Sequence, residues 1–180
     1  MNLPTMDRRV AVKKLLDARD GALVVTGLGS PTYDVHAAGD RDDNYYLWGA
    51  MGGAALVGLG LAQAQPQKRV MVITGDGEQL MAFGSLATIS VARPANLDLI
   101  VLDNQHFGET GMQSSHTGKG IAFDKVAAAC GFSKTAKKYF ACLRRVRQRP
   151  LLGRGPMRCR ATRCRAALPE GRIKRIKKMS

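Results

Sequence analysis

The sequence predicts an α/β fold with a doubly wound, mainly parallel sheet. Short apolar runs alternate with longer helical patterns, the apolar runs are the kind a strand buried on both faces shows, and glycines stand at their carboxyl ends. With 180 residues, 45% of them hydrophobic, the chain suits one compact domain with a real core.

Taken in order, a helix is expected from about Met6 to Ala18, carried by Val10, Val12, Leu15 and Leu16, and then a strand over Ala22–Thr26 ending at Gly27. Gly49 to Ala64 reads as a helix of small residues whose glycines permit close backbone contact. Arg69–Thr74 is a buried strand bounded by Gly75, and Leu80 to Val91 a helix stopped ahead of Pro94. Leu97–Leu102 is the next strand, and a helix from about Asp124 to Cys130 ends at Gly131, the residue type of a C-cap.

Charge divides the chain at Phe132. Residues 1–132 hold 11 Lys and Arg against 13 Asp and Glu, whereas residues 133–180 hold 17 against Glu170 alone. The expected organisation is therefore a folded domain over 1–132 and an irregular basic tail over 133–180, with Lys134 to Arg149 able to form a basic helix and no periodicity from Leu151 onward. Abrupt onset, loss of acids and loss of periodicity together point to a shifted reading frame in a GC-rich gene, which the coding DNA would show as a strand and helix in another frame. Cys159 and Cys164, amid strong positive charge and without a second ligand pair, make a poor zinc site. With Cys130 and Cys142 they are too few and too clustered for a disulfide framework, so free thiols and a cytoplasmic location are expected. No run of about 18 apolar residues suggests a membrane span, and the amino terminus lacks a signal peptide's apolar stretch.

Three blocks carry chemistry. Gly75-Asp-Gly-Glu follows a predicted strand, where a glycine-rich turn lets backbone N–H groups approach a diphosphate and Asp76 offers a hard oxygen to Mg²⁺. Alone, the triplet also has the composition of a plain turn. Asn104 stands at the end of the next strand, 28 residues after Asp76, about the length of one βαβ unit, so that a carboxylate and an amide oxygen can converge on one cation. Leu47-Trp-Gly-Ala-Met-Gly-Gly53 is the third block; by itself Met51 would pass for helix packing and Trp48 for a core or interface aromatic.

Together, from roughly Gly27 to Phe132, these blocks resemble the diphosphate-binding domain of thiamine diphosphate enzymes, whose motif is Gly-Asp-Gly followed by Asn-Asn; here Asp103 replaces the first Asn. The wording is closest to the small subunits of sulfopyruvate and phosphonopyruvate decarboxylases, through Ala37-Ala-Gly-Asp-Arg-Asp-Asp-Asn-Tyr-Tyr, Trp48-Gly-Ala-Met-Gly and Asp103-Asn-Gln-His-Phe-Gly-Glu-Thr-Gly-Met-Gln. The resemblance implies thiamine diphosphate and Mg²⁺ as cofactors, with Asp76, Asn104 and the backbone carbonyl of His106 on the metal. It also implies Gly49, Met51, Gly75, Gly77, Phe107 and Gly108 around the cofactor, Met51 being the apolar wedge that bends it so that its amino group meets the thiazolium carbon.

His106 and His116, in the loop after the metal-binding strand, are candidate catalytic groups, equally readable as surface histidines; His36 has the same standing. Glu109 and Gln113 could close over the cofactor. The resemblance further implies decarboxylation of a small 2-oxo acid bearing a sulfonate or phosphonate. The acid that activates the pyrimidine would come from a separate pyrimidine-binding subunit, or a dimer mate, because one chain of this length has no room for both domains. The competing reading is an inactive α/β scaffold whose tail binds nucleic acid or another polyanion, which is disfavoured because nothing resembles a base-reading module.

Overall fold

The computed structural model describes residues 7–138 and 160–165, with side chains for 7–135. Eight strands and six α-helices run α1 (Arg8–Asp17), β1 (Leu23–Thr26), α2 (Ser30–Ala37), β2 (Asn44–Tyr46), α3 (Ala54–Ala64), β3 (Val70–Gly75), α4 (Asp76–Met81), α5 (Ser85–Ala92), β4 (Leu97–Asp103), β5 (His106–Phe107), β6 (Gln113–Ser114), α6 (Phe123–Ala129), β7 (Lys134–Lys138) and β8 (Arg160–Arg165). A 3-10 turn, His116–Lys119, follows β6. The sheet order is β2-β1-β3-β4-β8-β7, and β2, β1, β3 and β4 are mutually parallel. No helix among the described residues is long and apolar enough to cross a membrane.

Strand residues alternate between two apolar layers, which is why both faces need helices. Val25, Val70, Val72, Leu97, Leu99 and Val101 pack against α3, α5 and α6 through Ala55, Leu59, Leu86, Ile89, Phe123 and Ala127. On the other face Val24, Met71, Ile73, Ile100 and Leu102 meet Ala11 and Val12 of α1 and Val35 of α2. Every residue of β4 is buried, which explains its uninterrupted apolar reading.

Several boundaries differ from the sequence reading. The helix expected from Gly49 begins only at Ala54, because Gly49 (φ +81°) and Gly52 (φ +92°) adopt left-handed conformations that form a turn. The helix expected from Leu80 to Val91 is two: α4 starts earlier, at Asp76, and α5 begins after a break at Ala82–Gly84. Helix α2 and strand β2 carried no apolar period and were not predicted.

The basic helix expected from Lys134 is instead, over its described part, strand β7, and Arg160–Arg165 forms β8, antiparallel to both β4 and β7. The irregular tail therefore contributes two strands. An open edge on β4 would leave its N–H and C=O groups unpaired, and pairing through the backbone needs no apolar alternation. The rest of that tail, with Cys142 and Cys159, lies outside the described residues; Cys130 is a free thiol.

Helix α3 tests the packing. A Cβ on Gly58 would lie 2.1 Å from Val72 Cγ2, whereas one on Gly60 would meet nothing within 4 Å. Gly58→Ala should therefore cost about 1–3 kcal/mol by overpacking, and Gly60→Ala should stabilise by about 0.5–1 kcal/mol, as measured by urea unfolding.

Candidate cofactor and metal site

Chain order reverses between β1 and β3, since β2 lies outside β1 and β4 outside β3. In open α/β sheets the crevice beyond the carboxyl ends of such strands receives ligands. A pocket lies there, lined by Leu28–Pro31 after β1, Gly75–Glu78 after β3, Asn104 and His106–Thr110 after β4, together with Arg8, Met51, Met81 and Leu102. Gly27, Gly75 and Asn104 thus stand at one edge, as expected from the sequence.

Asp76, the first residue of α4, is 3% exposed. Its Oδ2 accepts hydrogen bonds from Ser115 Oγ at 2.5 Å and Thr117 Oγ1 at 3.1 Å. The two hydroxyls are 2.8 Å apart, and Thr117 Oγ1 also lies 2.7 Å from Oδ1 of Asp103. Fixing one carboxylate oxygen in this way orients the other. Burial raises the Asp76 pKa above the ordinary carboxylate value, opposed by the Ser115 hydrogen bond and reinforced by the neighbouring charge of Asp103.

Asp103, where the family motif has Asn, is 4% exposed and also accepts the backbone N–H of Gln105 at 2.9 Å. Among the described residues neither Asp76 nor Asp103 forms an ion pair. Two buried carboxylates meeting at the Thr117 hydroxyl, without an ion-pair partner among the described residues, fit a divalent metal ion that would offset both burial and mutual repulsion.

The Asn104 side-chain oxygen accepts the backbone N–H of His106 at 2.9 Å, and His106 Nδ1 lies 2.9 Å from the Asn104 carbonyl oxygen. These contacts fold β4 into β5 and put Asn104 and His106 on the pocket wall with Asp76. Among the described residues no cluster of three or more His, Cys, Asp or Glu forms a metal site. The donors gathered here are one carboxylate, one amide oxygen and backbone carbonyls, an oxygen set that suits Mg²⁺ completed by phosphate and water.

The other predicted residues divide. Met51, Gly75, Gly77, Phe107 and Gly108 line the pocket. Gly77 is required by packing, since its Cβ would come within 2.8 Å of the Phe107 ring. Gly49 lies in the turn outside the pocket lining, and His116 is exposed, its ring edge-on to Phe107 at 6.4 Å. His36 is exposed on α2, 6.2 Å from the Tyr46 ring. Glu109 lines the pocket and accepts a hydrogen bond from Ser30 Oγ at 3.3 Å, while Gln113 is outside it and bonds Thr110.

Sequence reasoning missed Ser115 and Thr117, which follow no recognisable spacing, and Glu78. The Glu78 carboxylate is 5% exposed and accepts Thr74 Oγ1 at 2.8 Å and the Gly52 N–H at 3.2 Å. It fills the place where Gly27 would carry a side chain, its Oε2 lying 1.5 Å from an ideal Cβ there. Burial raises its pKa, opposed by the Thr74, Gly52 and Leu28 hydrogen bonds. Glu78 thereby ties β3 to the loop after β1 and to the turn that presents Met51.

Two outcomes follow from this geometry. Asp76→Ala should abolish Mg²⁺-dependent cofactor binding in calorimetry while the circular dichroism spectrum and cooperative unfolding persist, and Ser115→Ala should weaken Mg²⁺ binding by about tenfold or more. Glu78→Ala should release the Met51 turn; since the chain has one Trp, lower fluorescence anisotropy at Trp48 would read this directly, with the Asp76 and Asn104 donors retained.

Residues 30–157 match the C-terminal TPP-binding domain of thiamine pyrophosphate enzymes. Over 121 residues the chain is 39% identical to sulfopyruvate decarboxylase subunit beta of Methanocaldococcus jannaschii, covering 67% of this chain and 64% of that one. It is 40% identical over 126 residues to phosphonopyruvate decarboxylase of Streptomyces hygroscopicus, covering 69% of this chain but 31% of that enzyme. The chain thus spans less than two thirds of either relative. Among solved structures, the thiamine diphosphate-dependent 4-hydroxybenzoylformate decarboxylase of Rhodococcus jostii RHA1 superposes with a TM-score of 0.57 over 73% of this chain and 27% of that one, at 18% identity, a likeness of fold. With Asp76 and Asn104 on adjacent strand ends and the match spanning most of the domain, the chain belongs to the thiamine pyrophosphate enzyme family as a C-terminal TPP-binding domain.

Proposed function

We propose that this chain is the thiamine diphosphate- and Mg²⁺-binding subunit of a 2-oxo acid decarboxylase acting on a sulfonate- or phosphonate-bearing substrate, completed by a separate pyrimidine-binding subunit. The observation that carries the proposal is the meeting of Asp76, Asn104, His106 and Met51 on one pocket at the β1/β3 reversal. Relatives named for sulfopyruvate and phosphonopyruvate decarboxylation support the substrate class.

In this reading the Asp76 carboxylate, the Asn104 amide oxygen and the His106 carbonyl would hold Mg²⁺ and so offset the charge of the diphosphate. Gly75 and Gly77 let the backbone approach, and Met51 supports the bend between the two rings. When bound, thiamine diphosphate supplies the thiazolium carbon that adds to the 2-oxo group and the electron sink for carbon dioxide loss. His106, half-buried on the wall, is placed to orient a substrate carboxylate or hold a proton. The assignment of His116 is weakened by its position outside the pocket lining.

Assembly with a second subunit accounts for the surface beside the pocket. Trp48 is 89% exposed, Met81 64% and Met51 42%; Met51 and Met81 line the pocket, and Trp48 stands three residues before Met51 in the same turn segment. Large apolar side chains grouped at a ligand site mark a surface that is covered in the complex.

Calorimetric titration with thiamine diphosphate and Mg²⁺, with and without a candidate pyrimidine-domain subunit, tests the proposal. The chain alone should lack activity and gain it on mixing, then lose it when that subunit's pyrimidine-facing Glu is changed to Gln. Decarboxylation by the purified chain alone at about 1 per second or faster would overturn the assembly.

A further inference from the structure

The charge of the pocket wall is opposite to what an anionic ligand needs. Asp76, Glu78 and Glu109 line it, and among its lining residues Arg8 alone carries a permanent positive charge. Arg8 opens α1, ahead of the segment that matches the family. Its guanidinium is gripped along one edge: Nε and Nη2 donate to the two oxygens of Asp34, the Nη2 contact being 3.2 Å. The Asp34 side chain is fully buried, and Arg9 Nε lies 3.5 Å from the same carboxylate. One carboxylate therefore serves two guanidinium groups, and a positive charge is left over.

The grip leaves Nη1 of Arg8 without a hydrogen-bond partner among the described residues, on a side chain that is 22% exposed. A planar guanidinium anchored along one edge and open on another is prepared to take an oxyanion with little further loss of side-chain freedom.

We infer that Arg8 is a binding residue of this site, donating from Nη1 to a phosphorus- or sulfur-centred oxyanion of the ligand, and that Asp34 is the positioning residue that aims it. The inference rests on the proposed function. The oxyanion is the cofactor's diphosphate or the substrate's sulfonate or phosphonate, and binding measurements separate the two sources.

The full chain would be titrated calorimetrically with magnesium pyrophosphate and with thiamine diphosphate plus Mg²⁺. If the diphosphate is the source, Arg8→Gln should weaken both by about tenfold or more, an effect of a lost charge-assisted hydrogen bond. Arg8→Lys, keeping the charge but not the fork, should recover only part. Asp34→Asn should weaken binding with Arg8 still present, whereas Lys13→Gln, which removes a positive charge from the exposed face of the same helix, should not.

If the substrate is the source, Arg8→Gln should bind both probes like wild type, and in the complex with the second subunit it should raise KM for a sulfonated 2-oxo acid with kcat retained. Wild-type behaviour of Arg8→Gln in both arms overturns the inference, as does an equal loss in Lys13→Gln. Should Arg8→Gln fail to fold, Arg8→Lys decides by the same criteria. A wild-type chain that binds neither probe, with or without the second subunit, overturns the proposed function as well; a wild type that binds with Arg8 indifferent overturns the Arg8 assignment alone.

Discussion

The parallel pairing of β3 with β4 is the constraint on which the site depends. In that register Thr74 stands opposite Val101 and Gly75 opposite Leu102, so the two strands end within one residue of each other, Asp76 following Gly75 at the level of Asp103 and Asn104 coming next. A shift of one residue would turn the strands' side chains to the wrong layers. The two apolar layers that hold the register therefore also hold the spacing of the proposed metal donors, and core and site are one problem of alignment.

Around that pair the local structure manages the cost of burying carboxylates. Asp76 and Asp103 are stabilised by hydroxyls and backbone N–H groups, and among the described residues neither has an ion-pair partner to offset their mutual repulsion. Glu78 follows the same pattern for a different purpose. Its carboxylate collects donors from Thr74 and Gly52 and occupies the space left by Gly27, so one buried charge sets the relative position of three loops. The glycine after β1 is thus explained by a protein side chain and not by the cofactor.

Much of this was legible in the sequence because its signals are strong and local. Buried parallel strands read as apolar runs, and β1, β3 and β4 were found within one or two residues of their ends. Asp76 and Asn104 followed from a spacing that one βαβ unit imposes. The misses have physical causes as specific. Helix α2, Ser-Pro-Thr-Tyr-Asp-Val-His-Ala, buries only Pro31, Asp34 and Val35, too few for a period to show. The turn at Gly49–Gly53 was absorbed into α3 because small residues suit both states until φ is known. Strand β8 pairs through its backbone, and its sequence Arg-Ala-Thr-Arg-Cys-Arg shows no alternation of apolar and polar residues. Ser115, Thr117 and Arg8 act through contacts between residues distant in sequence, 39 positions apart for Ser115 and Asp76, which no local rule encodes.

The electrostatics also constrain the order in which the site can be filled. Among the described residues the pocket wall carries the carboxylates of Asp76, Glu78 and Glu109 against one guanidinium, that of Arg8, so a free diphosphate would meet net repulsion from them. A bare Mg²⁺ would find one carboxylate and amide or carbonyl oxygens, a donor set that satisfies only part of its octahedral shell. On the proposed reading each ligand would supply what the other lacks, the cation offsetting the charge of Asp76 and its neighbour Asp103 and the phosphate offering further oxygen donors. Cofactor and cation should therefore, on that reading, bind as a unit, each more weakly without the other because of the buried Asp76–Asp103 pair.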